Sequence, residues 1–380
     1  HFSNDAGKAH LHLSDKQENT AFALTERYHK TIPLFNIGYN ADDGLILGAG
    51  IRLIRQGFRK SPYASTHQFN LSHAFLTKAF RSRISSEWLK VAGGADLLFN
   101  ANIFAPDNTQ NFFGRGNETV FNKVGNFRRY YRSVFTILQA DPALRWRSGL
   151  KNSFTIGPSV QYYHYDIEDN KNRFISNTGL INTYDSATIA NDKTHLGIVV
   201  NYIHDSRNHL LLPNAGSLFS LKIKGYDGLN KYSRSYAQVT SELALFKPIG
   251  RNANFVIADR IGGGVSVGKT AFYQSLFLGG HDNLLGFRQY RFAGQHMLYN
   301  NVEARLKVAN IASYIVPGQL GILGFYDVGR VWENKDRSNK WHQGYGAGIY
   351  FAPAQLLLLQ LVAGKSVEGW YPYFTMGFRF

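Results

Sequence analysis

The sequence predicts an all-β fold, a transmembrane antiparallel β-barrel of about sixteen strands. Three observations carry the prediction: a side-chain period of two, strand-like segments long enough to cross a bilayer, and aromatic residues gathered at the segment ends. The 380 residues contain no apolar run of about 18 residues, which excludes a helical membrane span. Amphipathic helical spacing with capping signals is almost absent.

The alternation recurs along the chain. Ala237, Val239, Leu243 and Leu245 stand out of phase with Gln238, Thr240 and Glu242. Val302, Ala304, Leu306 and Val308 alternate with Asn301, Glu303, Arg305 and Lys307, and Phe374, Met376, Phe378 and Phe380 with Tyr373, Thr375, Gly377 and Arg379. A period of two gives a strand one apolar and one polar face. A soluble sandwich shares that property, so length and aromatic placement decide. The segments run to about ten residues, enough to cross a hydrocarbon core at a tilt of about 45°. Tyr130, Tyr131, Tyr162, Tyr163, Tyr165, Trp332, Trp341, Trp370, Tyr371 and Tyr373 sit at segment ends, where a membrane interface favours amphipathic rings. Lipid offers backbone groups no partner, so a sheet that spans it must close on itself.

Residues 1–30 are polar and unpatterned and read as an N-terminal linker, one that permits an upstream domain; the barrel is placed over 31–380. Within it, strands are expected at 32–39, 44–55, 65–76, 79–91, 95–104, 127–142, 149–165, 193–204, 215–226, 233–247, 253–267, 296–309, 319–329, 342–352, 355–364 and 370–380. Pro353 and its neighbours, and residues 248–251, read as short periplasmic turns; 166–192 and 268–294 read as long extracellular loops. Short turns at one end and long loops at the other is the asymmetry of outer-membrane barrels.

The net charge of +16, from 42 Lys and Arg against 26 Asp and Glu, lacks the basic helix or compact patch that nucleic acid requires. Glu242, Glu303, Arg305 and Lys307 fall on the polar phase and are assigned to the lumen. The remaining cations suit loops that face anionic outer-membrane lipid, lipopolysaccharide included. The 13 histidines show no metal-ligand spacing, and His73, His164, His204 and His342 read as lumenal or interfacial. Gly262–Gly268 lacks the Lys-Ser/Thr of a phosphate loop and reads as a strand of small residues. No Gly-x-Ser-x-Gly elbow occurs. No catalytic residue, metal site or cofactor is therefore expected, and an enzymatic domain, if any, is expected upstream.

One loop breaks the rule that loops are polar. Residues 277–294 carry Phe277, Leu278, Leu284, Leu285, Gly286, Phe287, Arg288, Tyr290, Arg291 and Phe292, and are expected to fold back into the barrel between the eleventh and twelfth strands. This stretch resembles the inward sixth loop of the BamA/TamA-like outer-membrane assembly and translocation barrels, the bacterial surface-antigen family. That family's motif is a hydrophobic residue, Arg, Gly, then Phe or Tyr, matched here by Leu284, Leu285, Gly286 and Phe287. Two strands on, Gly324–Gly329 resembles the family's strand with Phe325, Asp327 and Gly329. Asn111–Thr119, Gly38–Gly44 and Trp341–Gly346 fit the same pattern, in the family's order.

The resemblance implies that the loop arginine pairs with the strand aspartate. Here Leu285 occupies the arginine position, so either Arg288 or Arg291 substitutes, or a lumenal Arg or Lys does, or the loop sits differently; a neighbouring cation is the expected partner of Asp327. It further implies insertion or translocation of unfolded outer-membrane or secreted client proteins, or export of an upstream domain, through a lateral seam between first and last strands, with accessory lipoproteins as partners. Tyr373, Gly377, Phe378 and Phe380 resemble the terminal-strand signal by which the assembly machinery recognises outer-membrane proteins, and Gly346, Gly348 and Gly377 are expected to weaken packing near the seam. The rival expectation is a passive anion-selective diffusion porin, since about sixteen strands can leave an aqueous pore.

Overall fold

The computed structural model describes residues 28–380 apart from residues 59, 251, 252, 315, 335 and 355. The 1–30 linker therefore lies almost wholly outside the described residues. Sixteen antiparallel strands close into one barrel: β1 (Lys30–Asn40), β2 (Gly44–Arg55), β3 (Ser65–Ala74), β4 (Ala79–Ala92), β5 (Ala95–Asn111), β6 (Arg132–Ser148), β7 (Asn152–His164), β8 (Lys193–Asp205), β9 (Gly216–Gly228), β10 (Tyr236–Ile249), β11 (Phe255–Gly268), β14 (His296–Ile311), β15 (Gly318–Trp332), β16 (His342–Pro353), β17 (Leu359–Ser366) and β18 (Gly369–Met376). Two short strands, β12 (Leu276–Leu278) and β13 (Phe292–Gly294), pair with each other inside the loop between β11 and β14. Every barrel strand pairs with its sequence neighbour across a hairpin, β11 with β14 across that loop, and β1 with β18 to close the ring. Among the described residues no helix is long and apolar enough to cross a membrane.

The period of two sorts the side chains. Val239, Leu245, Ile261, Val265, Ile349 and Leu361 project outward and are exposed, while Gln238, Arg260, Asn301, Glu303, Arg305 and Asp327 point inward and are buried. An apolar outside with a polar inside suits a barrel in lipid. One end carries the tight connections, such as 93–94 and 149–151; the other carries 112–131, 165–192, 269–295 and 333–341.

Several segments depart from expectation at their ends; β5 runs seven residues beyond its expected end at 104, to Asn111. Residues 127–130 form one helical turn, capped by the Asn126 side chain, and β6 begins at Arg132. β7 begins at Asn152, after the turn at 149–151, and β17 begins at Leu359 rather than 355. β18 stops at Met376 rather than running to 380. Gly377 holds φ at +119°, a value that L side chains rarely adopt, and turns residues 378–380 off the strand and into the lumen.

The aromatic assignments divide. Trp341 and Trp370 are exposed at strand ends, as an interfacial belt requires. Tyr131, Tyr163 and Tyr165 instead belong to a buried aromatic cluster with Phe112, Phe113, Phe135, Phe174, Phe272 and Tyr273, formed where the long loops meet over the barrel mouth. Tyr163 stacks on Tyr273 with centroids 4.4 Å apart. Tyr371 and Tyr373 face the lumen and are also buried.

Candidate functional site, an inward loop and a strand seam

From the β12–β13 hairpin, residues 279–291 descend along the inner wall of β14–β18. Leu278, Leu284, Leu285, Phe287 and Phe292 are buried, which accounts for an apolar loop on a polar-lined barrel. Wall and loop meet through directional bonds at nearly every step. Asn301 of β14 donates to the Asn283 carbonyl at 2.8 Å, and Arg260 of β11 donates to the Asp282 carbonyl. Ser366 of β17 donates to the Gly286 carbonyl, and the Tyr373 hydroxyl to that of Phe287 at 2.9 Å. Four loop carbonyls, those of Asp282, Asn283, Gly286 and Phe287, thereby find donors on the barrel wall.

Its cations are committed too. Arg288 pairs with Asp42 in the β1–β2 turn, and the Gln289 N–H donates to the same carboxylate at 2.8 Å. Arg291 lies 2.6 Å from Glu368 in the β17–β18 turn and donates to Thr119 at 2.8 Å (hydroxyl) and 2.7 Å (carbonyl). Neither cation is the partner of Asp327. That partner is Arg379, which meets the carboxylate in a two-pronged pair at 2.6 and 3.0 Å, while the Leu285 N–H donates to Asp327 Oδ2 at 2.8 Å. The side chains of Arg379 and Asp327 are 1% and 0% exposed, so this ion pair is fully removed from water.

The inward-turned end is held on both sides. Arg305 lies 3.7 Å above the Phe378 ring, and Phe380 packs with Ala244, Phe246 and Ala258 beneath Arg260, 4.8 Å away. Arg260 also donates to the Arg379 carbonyl at 3.2 Å. The other lumenal assignments lie close by: Glu303 pairs with Arg305, and Glu242 accepts from the Tyr299 hydroxyl at 2.6 Å. Lys307 sits further along β14, partly exposed.

Asn111–Thr119 clamps the loop from above. Gly116 bridges to Ala293, and the Asn111 amide donates to the Gln289 carbonyl at 3.1 Å. Asn117 donates to Ser338 and to the Lys340 carbonyl, each at 2.8 Å, and accepts from the Val331 N–H at 3.1 Å. Arg115 reaches Glu333 at 3.0 Å. Burial pushes the carboxyls of Glu333 and Glu368 up, against the opposing pull of Arg115 and Arg291 respectively. His342 stacks on Phe292, with centroids 3.7 Å apart.

The seam is the counterpart of this tightly held loop. β1 and β18 are paired at two positions, Tyr39↔Phe374 and Asn40↔Tyr373, whereas β1 and β2 are paired at eleven. Ile37 turns its N–H toward β18, where it meets the Met376 sulfur at 3.3 Å. By the strand period Phe35 and Pro33 face the same edge, and Pro33 has no N–H to leave unpaired there. Gly346 and Gly348 lie on β16, two strands away from the seam, and contact β17 instead. Of the three glycines assigned to weaken it, Gly377 acts there by ending β18.

On the far side of the loop a cavity of about 1070 Å³ remains, lined in part by Arg52, Arg81, Arg83, Lys224, Gln68 and Asn70. Sequence reasoning reached the loop and Asp327 but missed Arg379, Arg260 and Asp42 as its anchors. Arg379 was visible as a lumen-phase cation in the last alternating segment; nothing local marks it as the partner of a residue 52 positions away.

A closed sixteen-stranded barrel with an apolar exterior and a large loop folded against its inner wall is a transmembrane β-barrel of the outer-membrane type. The family model of the Omp85 superfamily domain matches residues 92–368, and the chain belongs to that superfamily. Its fold is similar to BamA from Haemophilus ducreyi lacking POTRA domains 1–3, with TM-score 0.67, 16% identity, and coverage of 92% of this chain and 70% of that one. CdiB from Acinetobacter baumannii matches with TM-score 0.56 and 13% identity over 93% of this chain and 60% of its own. CdiB from Escherichia coli matches with TM-score 0.55 and 12% identity over 90% and 62%. The chain thus spans under two thirds of both CdiB proteins. No curated protein matches it in sequence.

Proposed function

We propose that this barrel resides in a bacterial outer membrane and inserts or translocates polypeptides, clients or an upstream domain of its own chain, through the seam between β1 and β18. One observation carries the reading: the seam holds two strand pairs where the adjoining β1–β2 interface holds eleven. An edge with few ladder bonds parts at low cost and presents backbone groups to an incoming strand. Membership of the Omp85 superfamily and the fold shared with BamA and CdiB support it. The partners are then outer-membrane lipid, lipopolysaccharide included, unfolded outer-membrane or secreted clients, and accessory lipoproteins.

The chain has no cysteine, so a disulfide can be placed at will. Tyr39→Cys with Phe374→Cys joins residues that already face each other. Oxidation is expected to stop client insertion into liposomes and reduction to restore it. Insertion by the locked barrel at the unlocked rate sinks the proposal. The cavity's arginines would suit an anion-selective porin, but the inward loop and the aromatic cluster at the mouth favour a closed barrel. We read residues 31–380 as non-enzymatic; hydrolysis of phospholipid by the purified barrel would overturn that.

A further inference from the structure

Residues 374–380 carry two instructions. Their alternation is that of a strand continuing to Phe380, with Phe374, Met376, Phe378 and Phe380 on the lipid phase. Their fold instead breaks at Gly377 and places Phe378, Arg379 and Phe380 on the inner wall. Continuing the register of Tyr39↔Phe374 along an unbroken β18 would bring Thr375 opposite Gly38, Met376 opposite Ile37, Phe378 opposite Phe35 and Phe380 opposite Pro33. Phe35 is 77% exposed, so that position on the β1 edge is open. The segment therefore fits two places: the lumen, with the seam short, or the β1 edge, with the seam sealed.

Asp327 touches both the choice and the loop. One of its oxygens accepts from the Leu285 N–H at 2.8 Å, and both accept from Arg379. With Arg288 and Arg291 engaged by Asp42 and Glu368, the loop tip brings no cation of its own to this carboxylate. Removing Arg379 would leave Asp327 buried and uncompensated beneath Leu285, a costly state that is relieved when the loop lifts and admits water.

We propose that Arg379 is the positioning residue of the inward loop, and that through Asp327 it couples the loop to the seam: sealing the barrel along β1 withdraws the cation that keeps the loop seated. The two states exchange one ion pair and two phenylalanines in the lumen for several ladder bonds and two phenylalanines in lipid. The proposal concerns the seam of the proposed function, but neither of its readouts involves a client. Failure here leaves that function standing, and failure of client insertion leaves this coupling untouched.

The test uses the whole barrel in detergent or liposomes. Phe35→Cys with Phe378→Cys reports the sealed state, because in the lumenal state residue 378 lies against Arg305 and Tyr350 on β14 and β16. Hydrogen exchange at the Leu285 amide, the donor to Asp327, reports the loop. Arg379→Gln and Asp327→Asn, each in the cysteine background, are expected to raise cross-linking about tenfold or more and to speed Leu285 exchange together. Adding Leu285→Arg to Arg379→Gln supplies a cation from the loop itself. It should restore protection of the amide at position 285 while cross-linking stays high. Cross-linking and exchange that stay at parental levels in Arg379→Gln overturn the proposal, as does either one moving without the other. Arg379→Gln keeps the test open should Asp327→Asn fail to fold.

Discussion

Replacing Lys193 by methionine is expected to destabilise the external loop 165–192 by about 3–5 kcal/mol, the usual cost of leaving one member of a buried ion pair behind. Lys193 and Asp185 are both fully buried, with Nζ 3.3 Å from the carboxylate. The ammonium also donates to the carbonyls of Thr188 at 3.0 Å and Asn191 at 3.2 Å, and lies 4.7 Å from the Tyr163 ring centroid. Methionine is unbranched and only one atom shorter, and it removes all three donors. Asp185 would retain the Thr183 hydroxyl at 2.7 Å but lose its ion-pair contact. The effect should be read as faster hydrogen exchange and new protease cuts confined to 165–192, the segment the pair anchors, since proteins open locally in contiguous units. Adding Asp185→Asn should recover part of the loss, since two neutral groups cost less than one orphaned charge. Unchanged exchange in the single variant would mean that this pair does not hold the cap.

The strands were legible because a membrane barrel writes its structure in a period of two. Each residue's phase assigns it to lipid or lumen, and that assignment holds along β10 and along β14 as far as the bulge at Lys307–Ala309. Where the chain leaves the wall, the signal stops. Tyr131, Tyr163 and Tyr165 sit at strand ends, where a belt of aromatic residues is expected, but the long loops close over them and convert interface residues into a core. The inward loop announced itself through apolar residues in a connection, and Asp327 through its motif. The cation opposite Asp327 could not be found by spacing, because Arg379 reaches it only after Gly377 breaks the last strand. Phe378 and Phe380 misled for the same reason: their alternation is real, and the fold does not use it in this state.

Gly344→Val is expected to drive the inward loop off the wall. Gly344 stands directly opposite Asp327 in the β15–β16 ladder, so a side chain there would enter the space that the loop tip fills. A Cβ on Gly344 would lie 1.8 Å from the Leu285 carbonyl oxygen, a backbone atom that no rotamer change can move. Forcing extra volume into a packed site typically costs about 1–3 kcal/mol, and a clash with backbone exceeds what small shifts relieve. The strand itself tolerates valine well, since a β-branched residue suits a pleated surface. The strain therefore falls on the loop, whose bond from Leu285 to Asp327 should break first. Proteolysis between 279 and 291 and a rise in planar-bilayer conductance are the expected readouts. The current should favour anions, because the cavity that opens is lined by Arg52, Arg81, Arg83 and Lys224. Gly344→Ala should produce a weaker version of both effects. A Gly344→Val barrel that folds, keeps its loop protected and passes no current would mean that the loop is not seated by this close approach, and that the bonds from β14, β17 and β18 hold it without Leu285.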